Sequence, residues 1–136
     1  MPCRRWQVAI LSLPSRRFLI SATVQVPYKA VYNPEYDNPK LSLNNVACSQ
    51  LVSEYATLGD ITPYFPNVGG APDTTYGSGN CGVIWKIINK DTGAVIYYVG
   101  IDNSDGFDLS EEAFEKVGGS KAKGSVGVEA AIVGHI

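Results

Sequence analysis

The 136-residue chain is 45% apolar and 18% charged, which is typical of a single globular domain with a real core rather than of a disordered segment. Its four arginines all lie within the first 17 residues, and from residue 24 onward 7 lysines face 13 acidic side chains. This acidic balance argues against nucleic-acid binding, which needs clustered cations, and against anionic membrane surfaces. The sequence contains no run of 18 apolar residues, so we expect no transmembrane helix and no membrane insertion.

The first 23 residues follow the order of a secretion signal but not its usual form. Arg4 and Arg5 precede an apolar run that residues 14–17 interrupt, and a second apolar run leads into small residues. We interpret residues 1–23 as an atypical signal-like leader, which includes Cys3, and residues 24–136 as the domain. An alternative start codon, a mis-spliced first exon or a cloning scar would produce the same pattern.

The first half of the domain predicts little regular structure. Residues 24–33 alternate loosely and predict a half-buried strand, in which Pro27 favours a sheet edge. Turn-forming residues follow at 33–39, and Leu51 to Tyr55 predict a short helix with one apolar face. Residues 59–80 contain five glycines and three prolines and predict a long, ordered surface loop, a natural wall for a binding site.

The second half predicts a hairpin, a helix and a last strand. Residues 83–88 and 94–101 predict two central strands joined by a turn at 89–93. A helix is predicted over residues 109–117, with Asp108 as its N-cap and two glycines after its end. Residues 125–133 predict the final strand. Many strands with few short helices predict a mainly β fold that forms a closed or nearly closed barrel.

Most catalytic chemistries lack their residues in this sequence. The one histidine, His135, lies next to the C-terminus, and there is no Cys-x-x-Cys pair, so we expect no metal and no cofactor. No Ser-His or Cys-His pair and no phosphate-binding loop can be assembled. Outside the leader, Cys48 and Cys81 either form a disulfide that closes a loop of about 33 residues or remain two buried thiols.

Carboxylates are the remaining candidates for chemistry. Asp102, Asp105 and Asp108 crowd one predicted strand-to-helix turn, where side chains can converge on a ligand. A pair of carboxylates could serve glycoside cleavage, with one as acid and the other as base or nucleophile. The same three residues could equally cap a turn, cap a helix and face solvent.

Four ordered motifs stand out in the sequence. They are residues 32–49 (YNPEYDNPKLSLNNVACS), 61–70 (ITPYFPNVGG), 81–87 (CGVIWKI) and 106–110 (GFDLS). Together they resemble the cerato-platanin family of secreted fungal proteins. The first resembles its N-terminal signature, the second its Phe-Pro and Gly-Gly loop, the third its Cys-Gly-x-Cys-Trp-Lys segment except at one place, and the fourth its late turn and helix. The resemblance covers about residues 24–136.

The resemblance implies a fold and a function. The fold is a six-stranded double-psi β-barrel with a few short helices, and Cys48 and Cys81 form the family's first disulfide. The function is non-catalytic: a secreted protein of the cell wall or extracellular space binds chitin or N-acetylglucosamine oligomers, loosens cellulose as expansins do and elicits plant defence. Expected partners are therefore those oligosaccharides or cellulose, a plant surface receptor and, through self-association, the protein itself.

Two departures from the family pattern stand out. The family's second disulfide joins the fourth residue of Cys-Gly-x-Cys to a cysteine near the C-terminus, but here Ile84 stands in the motif and the tail has no cysteine. We expect a less tightly tied C-terminal strand, with apolar packing at Ile84. The second departure is Asp108, which is expansin-like where cerato-platanins often have Asn, and which makes residual wall-loosening activity more plausible.

The resemblance and the position of the turn together predict a carbohydrate-binding groove and no catalytic residues. The residues predicted on one side are Asp102, Asn103, Ser104 and Asp108. Those predicted on the other side are Tyr36, Asp37 and Asn38. Aromatic rings stack on sugar faces while carboxylates and amides bond the hydroxyl groups.

Alternatives remain open at both the residue and the protein level. The Tyr36 ring could instead be packed to anchor its loop, and Trp85 is expected in the core rather than on a binding surface. At the level of the protein, the alternatives are a weak β-glucanase that uses Asp102 and Asp108, and a surface-active protein that assembles into films.

Overall fold

The structure is a computed structural model that describes residues 25–136. The leader predicted for residues 1–23, with Cys3, lies outside the described residues. None of the helices in residues 25–136 has the length and hydrophobicity of a transmembrane span.

Six strands form a closed barrel. Their bounds are β1 (Val26–Tyr32), β2 (Val68–Pro72), β3 (Val83–Asn89), β4 (Val95–Ser104), β5 (Phe107–Leu109) and β6 (Val126–His135). Around the barrel the order is β1-β5-β2-β4-β3-β6, and β6 pairs back onto β1. The pairs β1–β5 and β2–β4 are parallel, whereas the other four are antiparallel. The predicted fold class, a mainly β six-stranded double-psi barrel with short helices, is confirmed.

The predicted hairpin is the best-defined local unit. Strands β3 and β4 pair antiparallel with Ile84 opposite Val99 and Ile88 opposite Val95. The buried Asn89 side chain shapes the turn, since its Oδ1 accepts hydrogen bonds from the backbone N–H groups of Asp91 and Thr92. Because β3 also pairs with β6 and β4 also pairs with β2, both hairpin strands are central, as predicted.

Strand β1 explains how a proline is tolerated inside a barrel. Pro27 pairs with Glu129 of β6, but pairing with β5 on the other side begins only at Ala30. The first half of β1 therefore has one neighbouring strand, and the prediction of an edge position for Pro27 is correct in this local sense.

The prediction that residues 59–80 form one surface loop is wrong, because strand β2 lies inside this segment. Its five residues are all buried, and two of them are glycines that carry little strand propensity. Close packing explains the glycines: a Cβ on Gly69 (φ 153°) would lie 2.5 Å from the Tyr98 hydroxyl oxygen. Strand β2 is therefore stabilised by its pairing with β4 and β5 rather than by the strand propensity of its own residues.

The predicted helix begins later than expected. Helix α1 spans Glu111–Lys116, and Leu109 belongs to β5. The N-cap is Ser110, whose hydroxyl accepts a hydrogen bond from the Ala113 N–H at 3.1 Å, and not Asp108. Strand β4 also continues through Asp102 to Ser104, so the expected strand-to-helix turn is a strand, a tight turn and a second short strand.

Four short 3-10 helices lie between β1 and β2, and we call residues 33–67 the 3-10 segment. They span Pro34–Asp37, Leu43–Asn45, Ser49–Ser53 and Leu58–Asp60. The helix predicted at Leu51 to Tyr55 is present but begins two residues earlier and is a 3-10 helix. The last predicted strand is present with shifted ends, as β6 (Val126–His135).

Two hydrophobic clusters hold the domain together. The first fills the barrel, where Phe107 packs edge-on against the rings of Trp85, Tyr98 and Tyr28. The second joins the 3-10 segment to β2 and β4, and its fully buried members are Leu43, Leu58, Ile61, Val68, Val99 and Ile101. Trp85 is only 6% exposed, which confirms its assignment to the core.

Candidate carbohydrate-binding site

The candidate site is a row of three residues that crosses three neighbouring strands. Gly70 of β2 pairs with Asp102 of β4 on one side and with Asp108 of β5 on the other. Residues paired in register point to the same face of a sheet, and strands lie about 4.8 Å apart, so the two aspartates stand about 10 Å apart at their Cα atoms. We call these three residues the aspartate row.

Asp102 is a fixed hydrogen-bond acceptor. Its Oδ2 accepts from the Tyr36 hydroxyl at 2.7 Å, and its Oδ1 accepts from the backbone N–H of Ala47 at 2.9 Å and of Asn103 at 3.0 Å. Tyr36 lies in the first 3-10 helix, Ala47 lies between the second and the third, and Asn103 belongs to β4, so the segment between β1 and β2 is tied to the barrel at this carboxylate. Tyr36 was predicted either to face a ligand or to be packed as an anchor for its loop. Its ring is packed, since the residue is 5% exposed, and its hydroxyl donates to Asp102.

Asp108 has a different environment from Asp102. Its side chain is half-buried, and burial raises the pKa of its carboxyl group above the ordinary value of 3.8. The nearby Asp102 carboxylate raises the pKa further. Asp108 is held in place through its backbone, whose carbonyl oxygen accepts a hydrogen bond from the buried Tyr98 hydroxyl at 3.1 Å.

Gly70 occupies a crowded position in the middle of the row. A Cβ placed on Gly70 would lie 3.0 Å from the Cβ of Ser104 and 3.1 Å from the Cβ of Asp108. Any larger residue would therefore press against Ser104 and Asp108. Sequence reasoning missed Gly70, although the Gly-Gly pair in the family-like motif at residues 61–70 was a signal for it.

Ser104 and Asn103 extend the site in two directions. Ser104 lines a cavity of about 420 Å³ together with Tyr28, Val31 and Asp105. The Asn103 side chain instead accepts a hydrogen bond from the Thr74 N–H at 3.1 Å, so it fixes the loop that follows β2.

The remaining predicted residues, Asp37 and Asn38, make their contacts elsewhere. The Asp37 carboxylate accepts hydrogen bonds from the Glu111 N–H at 2.7 Å and the Glu112 N–H at 3.0 Å, at the first turn of α1. Asn38 is exposed, and its Oδ1 accepts from the Lys40 N–H. The structure joins Tyr36 to the aspartate row but not these two side chains, and their role in binding stays a prediction.

Metal ligands are not clustered anywhere in residues 25–136, where no group of three or more His, Cys, Asp or Glu side chains is arranged to hold an ion. The aspartate row offers hydrogen bonding by two carboxyl groups, of which Asp108 holds its proton more strongly than usual.

Comparison with known proteins identifies the relatives of this barrel. The family model described as Cerato-platanin matches residues 28–134. The chain belongs to the cerato-platanin family. It is 38% identical over 109 residues to cerato-platanin of Ceratocystis fimbriata f. sp. platani, covering 76% of each chain. It is 36% identical over 112 residues to an allergen homologue of Arthroderma benhamiae, covering 76% of this chain but only 51% of that relative.

Solved cerato-platanin structures share the fold. The crystal structure of cerato-platanin 2 from M. perniciosa superposes with a TM-score of 0.74 at 29% identity and covers 79% of this chain and 94% of its own. The solution structure of the fungal elicitor cerato-platanin superposes with a TM-score of 0.69 at 38% identity, with coverages of 77% and 91%.

The cysteine pattern of this cerato-platanin domain agrees with the resemblance. Cys48 and Cys81 form a disulfide with their Cα atoms 5.6 Å apart, which confirms the predicted pair. At the position expected for the second disulfide, Ile84 pairs with Gly134 of β6 and packs against the second hydrophobic cluster. The expected apolar replacement at Ile84 is therefore present.

Proposed function

We propose that this domain is a secreted, non-catalytic binder of chitin-type oligosaccharides, that is of N-acetylglucosamine oligomers. The aspartate row is the observation that carries the proposal. Two carboxyl groups on either side of a strand position without a side chain offer acceptors to the hydroxyl and amide N–H groups of a sugar.

Charge and cysteine chemistry support this choice of ligand and compartment. The domain has no arginine and an excess of carboxylates, which suits a neutral polyol better than an anionic polymer. A disulfide between Cys48 and Cys81 suits an oxidising environment, as outside the cell or in the cell wall. Expansin-like loosening of cellulose and elicitation of plant defence through a surface receptor extend the proposal, in line with the relative named a fungal elicitor.

Binding without cutting rests on the state of Asp102. Both of its oxygens are engaged by donors within the protein, so it serves as a positioned acceptor rather than as a free nucleophile.

An NMR titration with N-acetylglucosamine and glucose oligomers tests the proposal. We expect backbone shifts at Asp102, Gly70 and Asp108, and an affinity at least tenfold lower for Asp102→Asn, which exchanges an acceptor oxygen for a donor. Asp91→Asn is the matched control, since Asp91 is an exposed aspartate in the β3–β4 turn. Unchanged spectra with both ligands at millimolar concentration would rule out the proposal.

A weak β-glucanase is the alternative that one observation favours. The raised pKa of Asp108 is a property of general acids in glycoside hydrolysis. This alternative predicts release of reducing sugar from chitin or cellulose oligomers that is lost in the Asp102→Asn Asp108→Asn double variant. Release below the detection limit by the unmodified protein, at concentrations where the NMR titration shows binding, would leave the binding proposal alone.

A further inference from the structure

The loop of residues 73–80 is attached to the candidate site. It follows β2, in which Pro72 pairs with Ser104 of β4, so it leaves the barrel beside that residue. The Asn103 side chain then accepts the hydrogen bond of the Thr74 N–H. Two predicted site residues, Asn103 and Ser104, therefore determine where this loop begins.

Internal bonds hold the loop in one conformation. The fully buried Thr74 donates its hydroxyl to the Pro72 carbonyl oxygen at 3.0 Å. Asn80 donates its amide to the Asp73 carbonyl oxygen at 2.9 Å, which closes the base of the loop. The disulfide at Cys81 follows directly. The binding of a ligand to this loop would consequently lose little free energy in ordering it.

Tyr76 lies in the middle of this loop and is 69% exposed, more than any other large apolar side chain in residues 25–136. Its ring belongs to neither hydrophobic cluster and to none of the aromatic pairs found in that part of the chain. An aromatic ring that stays in water forgoes the free energy of burial. The fold therefore gives no reason for an aromatic residue at this position.

We propose that Tyr76 is a sugar-stacking residue that extends the aspartate row, so that one oligosaccharide contacts both. This inference rests on the proposed function. The C–H face of a pyranose ring packs on an aromatic ring, while the hydroxyl of the tyrosine remains free to hydrogen-bond. The six residues that follow Gly70, up to Tyr76, span at most about 21 Å, within the length of a short oligomer.

The composition of the loop suits a neutral ligand. Asp73 is the one charged residue among residues 73–80, and the others are small or polar apart from Tyr76. A polyanion or a strongly basic peptide would find no complementary charge here, whereas a polyol finds hydroxyl and amide groups on both sides of the ring.

Tyr97 provides a matched control on the same barrel. It is 49% exposed, and it lies on β4 five residues before Asp102, about 17 Å along the strand. It lines a different cavity, with Pro63 and Lys116. Removing its ring takes away a half-exposed aromatic side chain that lies outside the 73–80 loop.

Isothermal titration with the hexamer of N-acetylglucosamine, and separately of glucose, tests the inference. For the hexamer that the unmodified protein binds, we expect Tyr76→Ala to lower the affinity about tenfold. The affinities of Tyr76→Phe and Tyr97→Ala should stay within twofold of that of the unmodified protein. Both Tyr76 variants should keep their melting temperature, since the Tyr76 ring is 69% exposed. In NMR spectra the Tyr76 ring protons should shift on binding.

The outcomes separate this inference from the proposed function. If Tyr76→Ala binds as Tyr97→Ala does while Asp102→Asn loses affinity, the role of Tyr76 is refuted and the aspartate row stands. If the unmodified protein binds neither hexamer, both proposals fail together. A tenfold loss that Tyr76→Phe restores supports the stacking role.

Discussion

Asp102 and Asp108 are chemically identical side chains that the fold places in different surroundings. Asp102 receives three donors, whereas Asp108 is held only through its backbone and keeps its proton more strongly than usual. Their spacing in the sequence indicated that they converge. The difference between them could not be predicted, because it depends on Tyr36 and Ala47, which are more than 50 residues away in the chain.

Tyr36→Phe should destabilise the domain by about 2 kcal/mol, since it removes a buried hydroxyl that donates to a charged acceptor. The expected readout is a lower urea midpoint at pH 7, together with weaker oligosaccharide binding because Asp102 loses one of its anchors. Tyr97→Phe, at an exposed position, should leave both unchanged. Equal midpoints for the two variants would contradict the importance of this hydrogen bond.

Asp108→Asn should raise the free energy of unfolding more at pH 7 than at pH 3. The pKa of Asp108 is higher in the folded state than its ordinary value of 3.8, so the unfolded chain releases this proton at a lower pH than the folded protein does. The free energy of unfolding therefore falls as the pH rises from the unfolded pKa to the folded pKa. The variant lacks this fall. Since the carboxyl group is partly solvated, we expect a gain of about 0.5 kcal/mol at pH 7 relative to pH 3.

Urea unfolding of the unmodified protein and of Asp108→Asn between pH 3 and pH 7 measures this effect. Asp105→Asn, at an exposed neighbouring position, is the control. A stability difference between Asp108→Asn and the unmodified protein that does not change with pH would show that burial of Asp108 has no energetic consequence.

At the level of elements, the strands with strong local patterns were predictable and the one without was not. Strands β3 and β4 are apolar runs joined by a turn, and they were found at their expected positions. Strand β2 reads as a loop because Gly69, Gly70 and Pro72 are poor strand residues. It forms because β4 and β5 supply partners on both sides, and its Gly70 lies between Asp102 and Asp108.

Ile84→Cys combined with Gly134→Cys should form the disulfide that this sequence lacks. The two residues face each other across β3 and β6, and a Cβ on Gly134 would lie 4.0 Å from the Cβ of Ile84, a distance suited to a disulfide. Closing this long loop should raise the free energy of unfolding by about 2–4 kcal/mol.

Urea unfolding with and without reductant, after mass mapping of the bonds, tests this design. Reductant should lower the midpoint of the double variant more than that of Ile84→Cys alone. If the new cysteines remain reduced under oxidising conditions, β6 does not hold the register described here.

The molecule as a whole consists of a barrel and a 3-10 segment packed on its outside. The second hydrophobic cluster, the Asp102 hydrogen bonds and the Cys48–Cys81 disulfide all join these two parts. Each of the aspartate row's residues belongs to the barrel, but the orientation of Asp102 depends on the segment. Binding and stability should therefore be linked through this junction.

Replacing Cys48 and Cys81 together by alanine should cost about 3–4 kcal/mol, as expected for a bond between residues 33 positions apart. Thermal unfolding followed by circular dichroism measures the loss. Because the junction loosens, the affinity for oligosaccharide should fall as well. A double variant with unchanged affinity at a temperature where it stays folded would show that the barrel alone orients Asp102.

The sequence by itself determined the fold class, the hairpin, the disulfide partners and the closeness of Asp102 and Asp108, because these depend on local patterns or on motifs that resemble a known family. Only the tertiary structure decided that β2 is a strand, that Ser110 rather than Asp108 caps α1, and that Asp37 contacts α1. These features arise from pairing and packing between residues far apart in the chain, where tertiary contacts outweigh local propensity.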